Sequence, residues 1–300
     1  MRAAACMLGL LVALGLAACG GDDSSKPKPG DAPIRVGSKN FTEAKILGEL
    51  YKQALEAKGL RVELRSAVGS TELVNRALRS DLLDMYPEYV GVLLSEVDKV
   101  TKRPSSPRAA YELAKGIEET RKLTLLQQTP FSNENALAVT NAFGRRHDIK
   151  AIPDLERLHG AKLLAAPEFE NRFEGIVGLR RVYGLRSLKM TAWGGAGEQY
   201  PALDGATTDV ALVFTTDSQL ATGRYTLLKD PEGLFAEQHV APVISQKALK
   251  AHGPKLAAAV NAVSALLTTP VMRGLNAKVD TDKRTPRDVA DEFLRADNLK

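Results

Sequence analysis

The segment IRVGSKNFTEAKILG, residues 34–48, predicts a strand, a turn and a helix in direct succession. Ile34 and Val36 flank a polar residue, as in a short strand, and Gly37 then turns the chain. Beyond the turn, apolar residues recur at three- and four-residue spacing until Gly59 ends the pattern. A helix that packs one apolar face on a core leaves its amino end available to a ligand.

The amino end of this helix carries a cluster of polar side chains, Lys39, Asn40 and Thr42. Free backbone N–H groups and the helix dipole favour an anion there, and a lysine adds a full positive charge. We therefore expect these three residues to contact an anionic ligand. An ordinary turn with a solvated lysine is the alternative interpretation.

Length and composition indicate one large or two medium globular domains. The chain has 300 residues, 44% of them hydrophobic and 5% aromatic, and a formal net charge of +5. This charge is too small and too dispersed to indicate nucleic acid as a partner, and no nucleic-acid-binding motif is present. The composition therefore excludes a disordered chain and favours a globular protein that does not bind nucleic acid.

The first 18 residues predict an export signal, with Arg2 near the start and an apolar run behind it. Leu16-Ala17-Ala18-Cys19 resembles the lipobox of bacterial lipoproteins, which implies lipidation at Cys19 and a flexible tether over residues 19–33. The expected location is outside the cytoplasmic membrane, anchored by lipid to its outer face or in the periplasm. A soluble export signal with an incidental cysteine is the alternative. The other cysteine, Cys6, leaves with the signal, which excludes disulfides and thiol catalysis.

Alternation of strand and helix patterns begins twice, near Ile34 and near Ile152. This order predicts parallel sheets with helices on both faces, and ligands bind at the carboxyl ends of such strands. Polar turns follow several predicted strands, among them the turn with Arg172 and the hydroxyl-rich turn with Thr216. Pro87 disfavours a helix at Tyr86, so Tyr86 and Tyr89 are expected in an extended turn beside a cleft.

Seven motifs stand in the order seen in the glycine betaine, choline and osmoprotectant-binding proteins of ABC importers. They are VGSKNFTE (36–43), ILG (46–48), YPEYVG (86–91), ALAV (136–139), EF (168–169) with Arg172, TD (216–217) and VAPV (240–243). The chain resembles this family over residues 34–299. The resemblance implies a type II periplasmic-binding-protein fold, an α/β protein with two lobes joined by two extended crossover strands and a ligand cleft between them.

Lobe 1 is then expected to span 34–134 and 242–300, and lobe 2 to span 135–241 with the crossover strands at its ends. The family also implies the partners: a small zwitterionic or carboxylate solute, an ABC permease and its ATPase. We expect a monomer that needs no cofactor or metal.

Members of the family hold a trimethylammonium group in a cage of aromatic rings, and this chain keeps only part of such a cage. The resemblance assigns cage positions to Tyr89, Asn135, Phe214 and Gln238, so two rings of four remain. Each well-placed ring contributes about 0.5–2 kcal/mol. The two amides would meet methyl groups that offer no hydrogen bond. A ligand more polar than glycine betaine or choline is therefore expected.

The remaining expected ligand contacts are two cations and two residues of polar turns. Lys39 and Arg172 are the cations that would bind a carboxylate, although Arg172 could equally form a surface ion pair. The polar turns contribute Asn133 and Thr216.

Two other functions fit the sequence less well. An exported enzyme is disfavoured because the four histidines, at 147, 159, 239 and 252, lack metal-ligand spacing, and no nucleophile motif is present. A sensor lipoprotein of the same fold, signalling to a membrane partner, remains the second alternative.

Overall fold

A computed structural model describes residues 32–300 except 101, 103, 195, 196 and 237. The predicted export signal, Cys19 and the tether as far as residue 31 lie outside this range. Within the range, no single helix is long and apolar enough to cross a membrane. One helix pair, Pro254–Leu266 with Thr269–Asp280, passes that test jointly but is bent by 90°. Both helices contribute residues to the core described below.

The opening segment folds as predicted, into a strand and then a helix. The first part of the chain forms β1 Ile34–Lys39, α1 Thr42–Ala57, β2 Val62–Gly69, α2 Thr71–Arg79, β3 Met85–Tyr89, α3 Val90–Val92, α4 Pro107–Thr120 and β4 Leu123–Leu125. Gly59, just beyond α1, has a φ of +75°, which suits a glycine at a helix end.

The middle of the chain forms the second set of elements. They are β5 Asn135–Thr140, α5 Asn141–His147, β6 Lys162–Ala165, α6 Gly178–Val182, β7 Lys189–Ala192, α7 Gln199–Asp204, β8 Val210–Phe214 and β9 Tyr225–Leu227. Short 3₁₀ helices at Ile152–Leu158, Pro167–Glu170 and Ser218–Thr222 complete this part. The chain then returns as β10 Val240–Ser245, α8 Gln246–His252, α9 Pro254–Leu266, α10 Thr269–Asp280 and α11 Pro286–Ala296.

The strands form two five-stranded sheets of matching design, ordered β2-β1-β3-β10-β4 and β7-β6-β8-β5-β9. In each sheet the first three strands are parallel and the fourth is antiparallel to its neighbours. That fourth strand, β10 or β5, is the one that enters from the other sheet. The predicted parallel arrangement therefore holds for three strands of each sheet, and not for the strands that link the two halves.

The sheets are joined by two extended segments that lie side by side. One follows β4 and the other precedes β10, and Ser132 forms an antiparallel bridge with His239 between them. The Gln238 N–H donates to Ser132 Oγ at 2.6 Å, and the Asn133 N–H donates to the Gln238 carbonyl at 3.1 Å. Val240, which the sequence placed in the crossover at the end of lobe 2, already belongs to β10 of the first sheet.

Tyr86 and Tyr89 lie on an inner strand, β3, and not in the predicted extended turn. Tyr86 is fully buried, and its hydroxyl accepts a hydrogen bond from Asn75 Nδ2 at 3.1 Å. Pro87 faces Pro242 of β10, so the two residues that lack N–H groups coincide at one position of the ladder. This pairing explains how a proline is tolerated inside the sheet.

Three segments differ from what their sequence patterns predict. Residues 94–108 are mostly polar and contain two prolines, which predicts a connection, but Leu93–Val97 continues α3 as a π turn. The pattern of residues 173–183 predicts one helix, which is broken because Glu174 and Gly175 have non-helical backbone angles before α6 begins. The apolar spacing in α2 predicts Leu73 on its inner face, yet Leu73 is 49% exposed.

Each sheet is covered by its own apolar clusters. The largest joins the inner faces of β1, β3 and β10 to α1, α9, α10 and α11, with Ile46, Leu50 and Met272 fully buried. The main cluster of the second half packs β5, β6 and β8 against the segments around Phe169 and Phe235. These two rigid halves place the carboxyl ends of their strands beside the extended connections.

Candidate functional site

Glu43, in the first turn of α1, is the centre of the site and is only 3% exposed. Its Oε1 accepts hydrogen bonds from the Tyr89 hydroxyl at 2.5 Å and from Asn133 Nδ2 at 3.1 Å. Its Oε2 accepts one from Asn276 Nδ2 at 2.8 Å, and the Thr216 side chain donates a further one. The carboxylate therefore links α1, β3, α10, the first connection and the turn after β8.

Burial dominates the electrostatics of this group. It raises the pKa of Glu43, and the four hydrogen-bond donors lower it again only in part. Burial also raises the pKa of the Tyr89 hydroxyl well above its ordinary value, and the neighbouring charge of Glu43 adds to the effect. Tyr89 is thus a neutral hydrogen-bond donor at physiological pH, held in one orientation by Glu43.

Lys39 does not project into solvent as a free cation. It is 6% exposed, and its ammonium group donates to Glu88 Oε1 at 2.5 Å and to Thr71 Oγ1 at 3.2 Å. Glu88 is fully buried on β3, and its Oε1 also accepts the Tyr89 backbone N–H at 2.7 Å. The neighbouring strand therefore supplies a counter-ion for Lys39 that the sequence did not indicate.

Two aromatic rings lie beside this ion pair. The Lys39 ammonium lies 4.6 Å from the centre of the Tyr89 ring and 5.6 Å from that of Phe41. The two rings are stacked, with centres 6.1 Å apart and an interplanar angle of 29°. Phe41 is 39% exposed, so the cluster reaches the surface at the amino end of α1.

The remaining cage positions lie on the second sheet and on the returning connection. Asn135, the first residue of β5, pairs in register with Phe214, the last residue of β8, so their side chains are neighbours on one face. Phe214 is 38% exposed and Asn135 is half-buried. Gln238 lies against Gly91, two residues beyond Tyr89. Asn135 and Phe214 thus lie together at the end of the second sheet, and Gln238 lies near the end of β3 that carries Tyr89.

The buried acceptors of this region are incompletely satisfied. Asn133 Oδ1, Asn276 Oδ1, Gln238 Oε1 and Glu88 Oε2 are buried and have no hydrogen-bond partner within the described residues. Both Asn133 and Asn276 direct their Nδ2 groups to Glu43, which fixes their amide orientation. Their free atoms are therefore acceptors, and a buried acceptor without a partner costs about 1–3 kcal/mol.

Three other predicted ligand residues lie outside the buried part of the site. Arg172 is exposed, on the turn that follows β6, at the same end of the second sheet as Phe214. Asn40 is exposed beside Phe41. Thr42 donates its hydroxyl to Asp280 Oδ1 on α10 at 2.7 Å, so it joins α1 to α10.

Helix α10 fastens the two halves together next to the site. Arg273 donates to the Thr215 carbonyl at 3.1 Å through Nε and at 2.7 Å through Nη2. Asn276 Nδ2 donates to the Thr216 carbonyl at 2.9 Å. Because α10 packs in the core of the first half, these bonds hold the end of β8 against it. The predicted ligand residue Thr216 is accordingly 2% exposed and contacts Glu43.

Sequence reasoning missed Glu43, Glu88, Phe41 and the α10 residues Arg273 and Asn276. A glutamate in the first turn of a helix ordinarily complements the helix dipole, so Glu43 gave no signal of its own. Glu88 and Asn276 reach the site only because β3 and α10 pack against α1, and a local sequence pattern does not show such packing. Among the described residues, no group of three or more His, Cys, Asp and Glu side chains is placed to hold a metal ion.

Comparisons with known proteins identify the family to which this chain belongs. Residues 32–296 match the family described as the substrate-binding domain of an ABC-type glycine betaine transport system. A glycine-betaine-binding protein of Pseudomonas aeruginosa is 31% identical over 277 residues, which cover 89% of this chain and 88% of the relative. The glycine betaine-binding protein YehZ of Escherichia coli is 29% identical over 90% of this chain and 92% of its own.

Solved structures agree with the sequence relatives. The structure of apo YehZ has a TM-score of 0.78 with this chain at 27% identity, covering 90% of this chain and 100% of that one. A glycine betaine/carnitine/choline ABC transporter structure has a TM-score of 0.80 at 23% identity, over 89% of this chain and 99% of that one, which supports the fold alone. The expected type II periplasmic-binding-protein fold is confirmed. The chain belongs to the family of substrate-binding domains of ABC-type glycine betaine transport systems, and it is a binding protein rather than an enzyme, as the sequence predicts.

Proposed function

We propose that this chain is the extracytoplasmic solute receptor of an osmoprotectant-type ABC importer. It captures a small zwitterionic or carboxylate solute between two lobes and delivers it to a permease that an ATPase drives. The lobes are residues 34–134 with 242–300, and residues 135–241 with the crossover strands at their ends. Relatives named for glycine betaine and for carnitine transport support a zwitterion as the solute class.

One observation carries this proposal. Polar and aromatic side chains from the strand ends of both sheets converge on the two connections, around a buried carboxylate that is bonded from both halves. A solute that enters there contacts both lobes at once, which is the requirement for a binding protein that closes on its ligand. Asn135 and Phe214 approach from one lobe, and Tyr89 and Gln238 from the other lobe and the connection.

The ring content of the site favours a solute that is more polar than glycine betaine or choline. Asn135 and Gln238 take positions at which the family has rings, and an amide facing methyl groups loses its hydrogen bonds. The free acceptor atoms near Glu43 add a second reason, because they require N–H or O–H donors. We therefore expect glycine betaine and choline to bind more weakly than a compact polar carboxylate.

A thermal-shift screen of the mature protein tests the proposed function. The panel contains betaines, choline, carnitine, amino acids, sugar acids and neutral sugars, because a solute that binds only the folded state raises its melting temperature. We expect at least one zwitterion or carboxylate to raise the melting temperature in a saturable manner. A response to neutral sugars alone, or to no member of the panel, would refute the proposal.

We also propose that Cys19 carries a lipid that anchors the protein. The lipobox-like sequence at 16–19 and the polar segment behind it support this assignment. Cys19→Ser should release the protein from the membrane without changing its affinity for the solute. Partition between a detergent phase and water measures this directly, and a variant that stays in the detergent phase would exclude lipidation at Cys19.

A further inference from the structure

The surface of α6 combines exposed apolar side chains with exposed arginines. Val177 directly precedes α6 with helical angles, so Val177, Arg180 and Arg181, which are three and four residues apart, share one face. Val177 is 44% exposed, Phe173 is 51% exposed, and both arginines are exposed. A Cβ atom at Gly178 would lie 2.0 Å from the Phe173 carbonyl oxygen, so Phe173 packs directly beside α6. We call Phe173, Val177, Arg180 and Arg181 the α6 patch.

Positive charge is concentrated around this patch in a lobe that is otherwise acidic. Residues 172–189 contain five basic side chains and one acidic side chain, whereas the rest of 135–241 contains seven basic and twelve acidic side chains. Within the described part of the chain, neither Arg180 nor Arg181 forms an ion pair, because the ion pairs of this lobe use other cations. The two guanidinium groups are therefore available to a second molecule.

The composition of the α6 patch is that of a protein interface. Arginine and aromatic residues are enriched at such interfaces and lysine is depleted, and the patch has two arginines, a phenylalanine and no lysine. A lipid surface fits less well, because α6 has only five residues and offers little apolar area for insertion among lipids. A protein with an acidic surface is therefore the partner that the patch fits.

The patch begins beside the proposed solute cleft. Phe173 directly follows Arg172, which is exposed on the turn after β6. The proposed function requires one protein to meet this side of the molecule, namely the permease that receives the solute. Membrane proteins carry their excess of lysine and arginine in cytoplasmic loops, so the outer face of a permease is comparatively poor in positive charge. Such a face is electrostatically complementary to a patch that carries two unpaired arginines.

We propose that the α6 patch is the surface through which the second lobe docks on the extracytoplasmic face of the permease. Arg180 and Arg181 bind acidic side chains of the permease there, and Val177 makes an apolar contact between them. This inference rests on the proposed function, since it assumes that the chain serves an importer. It gives the two arginines a role in recognising the permease that is separate from holding the solute.

Binding of the mature protein to the permease–ATPase complex of its own transport system, held in lipid nanodiscs, tests the proposal. Empty nanodiscs of the same lipids are measured alongside. The variants are Arg180→Glu with Arg181→Glu, which reverses both charges, and Val177→Ser, which removes the apolar contact. Arg145→Glu with Arg146→Glu is the matched control, because these arginines are also adjacent, exposed and in the last turn of a helix of the same lobe, α5. The melting temperature of each variant is recorded.

We expect the wild type and the α5 control to bind the complex with equal affinity and to leave empty nanodiscs unbound. Reversal of both charges in the patch should weaken docking by about tenfold or more, and Val177→Ser should weaken it by about threefold. All variants should keep the melting temperature of the wild type. Rising salt should weaken docking of the wild type more than docking of the charge-reversed variant.

Two results would overturn the proposal. One is a folded charge-reversed variant that docks as tightly as the wild type, or no more weakly than the α5 control. The other is equal binding of the wild type to loaded and empty nanodiscs, which would assign the patch to lipid. Failure of the proposed function gives a different result, because the wild type itself would then fail to dock on the complex.

Discussion

Arg172 is the predicted ligand residue whose exposure allows a binding role to be distinguished from a structural role. The sequence singled it out as a cation on a turn, and the structure places it exposed at the strand ends of the second sheet. Under the proposed closure, we expect its guanidinium to reach a solute carboxylate when the lobes approach each other. An exposed side chain of this kind contributes little to folding, which separates a binding role from a structural one.

Arg172→Ala should weaken binding of a carboxylate solute by about 2 kcal/mol or more, close to thirtyfold, because a buried charged pair forms only in the closed state. Its melting temperature without solute should stay that of the wild type. Calorimetric titration measures the affinity, with Arg180→Ala on α6 as an exposed control. Wild-type affinity in Arg172→Ala would exclude the carboxylate role.

The raised pKa of Glu43 predicts how the stability of the protein changes with pH. Burial raises this pKa above its ordinary value of 4.5, so the folded state binds more protons than the unfolded state as the pH rises past that value. Stability from this group is therefore lost as the pH increases from 4.5 through the folded-state pKa, by at most about 1.4 kcal/mol for each pH unit. Glu43→Gln cannot titrate and should escape this loss.

The measurement is the melting temperature of wild type and Glu43→Gln at pH 4.5 and pH 7.5. The wild type should lose stability relative to the variant at the higher pH. Glu112→Gln, an exposed glutamate on α4, is the control and should follow the wild type at both values. An equal difference between wild type and Glu43→Gln at the two pH values would contradict the account.

Helices and strands were predicted well where one short pattern determines them. The period of α1 and its end near Gly59 follow from local sequence, and a proline in the first turn marks the start of each of α9, α10 and α11. The broken segment before α6 could not be predicted in this way. The pattern of Phe173 to Tyr183 predicts a helix, and at the break Gly175 packs closely against the preceding turn.

Gly175→Ala tests this packing. A Cβ atom at Gly175 would lie 2.0 Å from the Phe169 carbonyl oxygen, so the backbone of the turn that carries Arg172 would have to move. We expect a loss of about 2 kcal/mol or more of unfolding free energy and weaker solute binding. Chemical denaturation measures the stability of the variant.

Gly116→Ala is the matched control for that substitution. Gly116 lies inside α4, and a Cβ atom there meets nothing within 4 Å. Alanine in a helix interior should therefore stabilise the protein by roughly 0.5–1 kcal/mol. A Gly175→Ala protein as stable as the wild type would contradict the close packing of the turn.

At the scale of the whole molecule, the two-lobed design followed from a strand and helix pattern that starts twice and from the order of seven motifs. The sequence could not show which residues tie the lobes together. Arg273 and Asn276 lie on a helix that any pattern would assign to the first lobe, yet both donate to carbonyl groups at the end of β8. Contacts of this kind arise from the packing of elements far apart in the chain.

The bonds from α10 lie next to the connections and hold the end of β8 against the first half. If the lobes close on a solute as we propose, these bonds are expected to restrain that end of the second lobe during the movement.

Closure of the two lobes on a small zwitterion is the central claim, and small-angle X-ray scattering of the mature protein tests it most directly. The radius of gyration is compared without solute and with a saturating concentration of the best solute from the thermal-shift screen. We predict a smaller radius of gyration with the solute. An unchanged radius of gyration for the saturated wild type would contradict the claim that the lobes close on the solute.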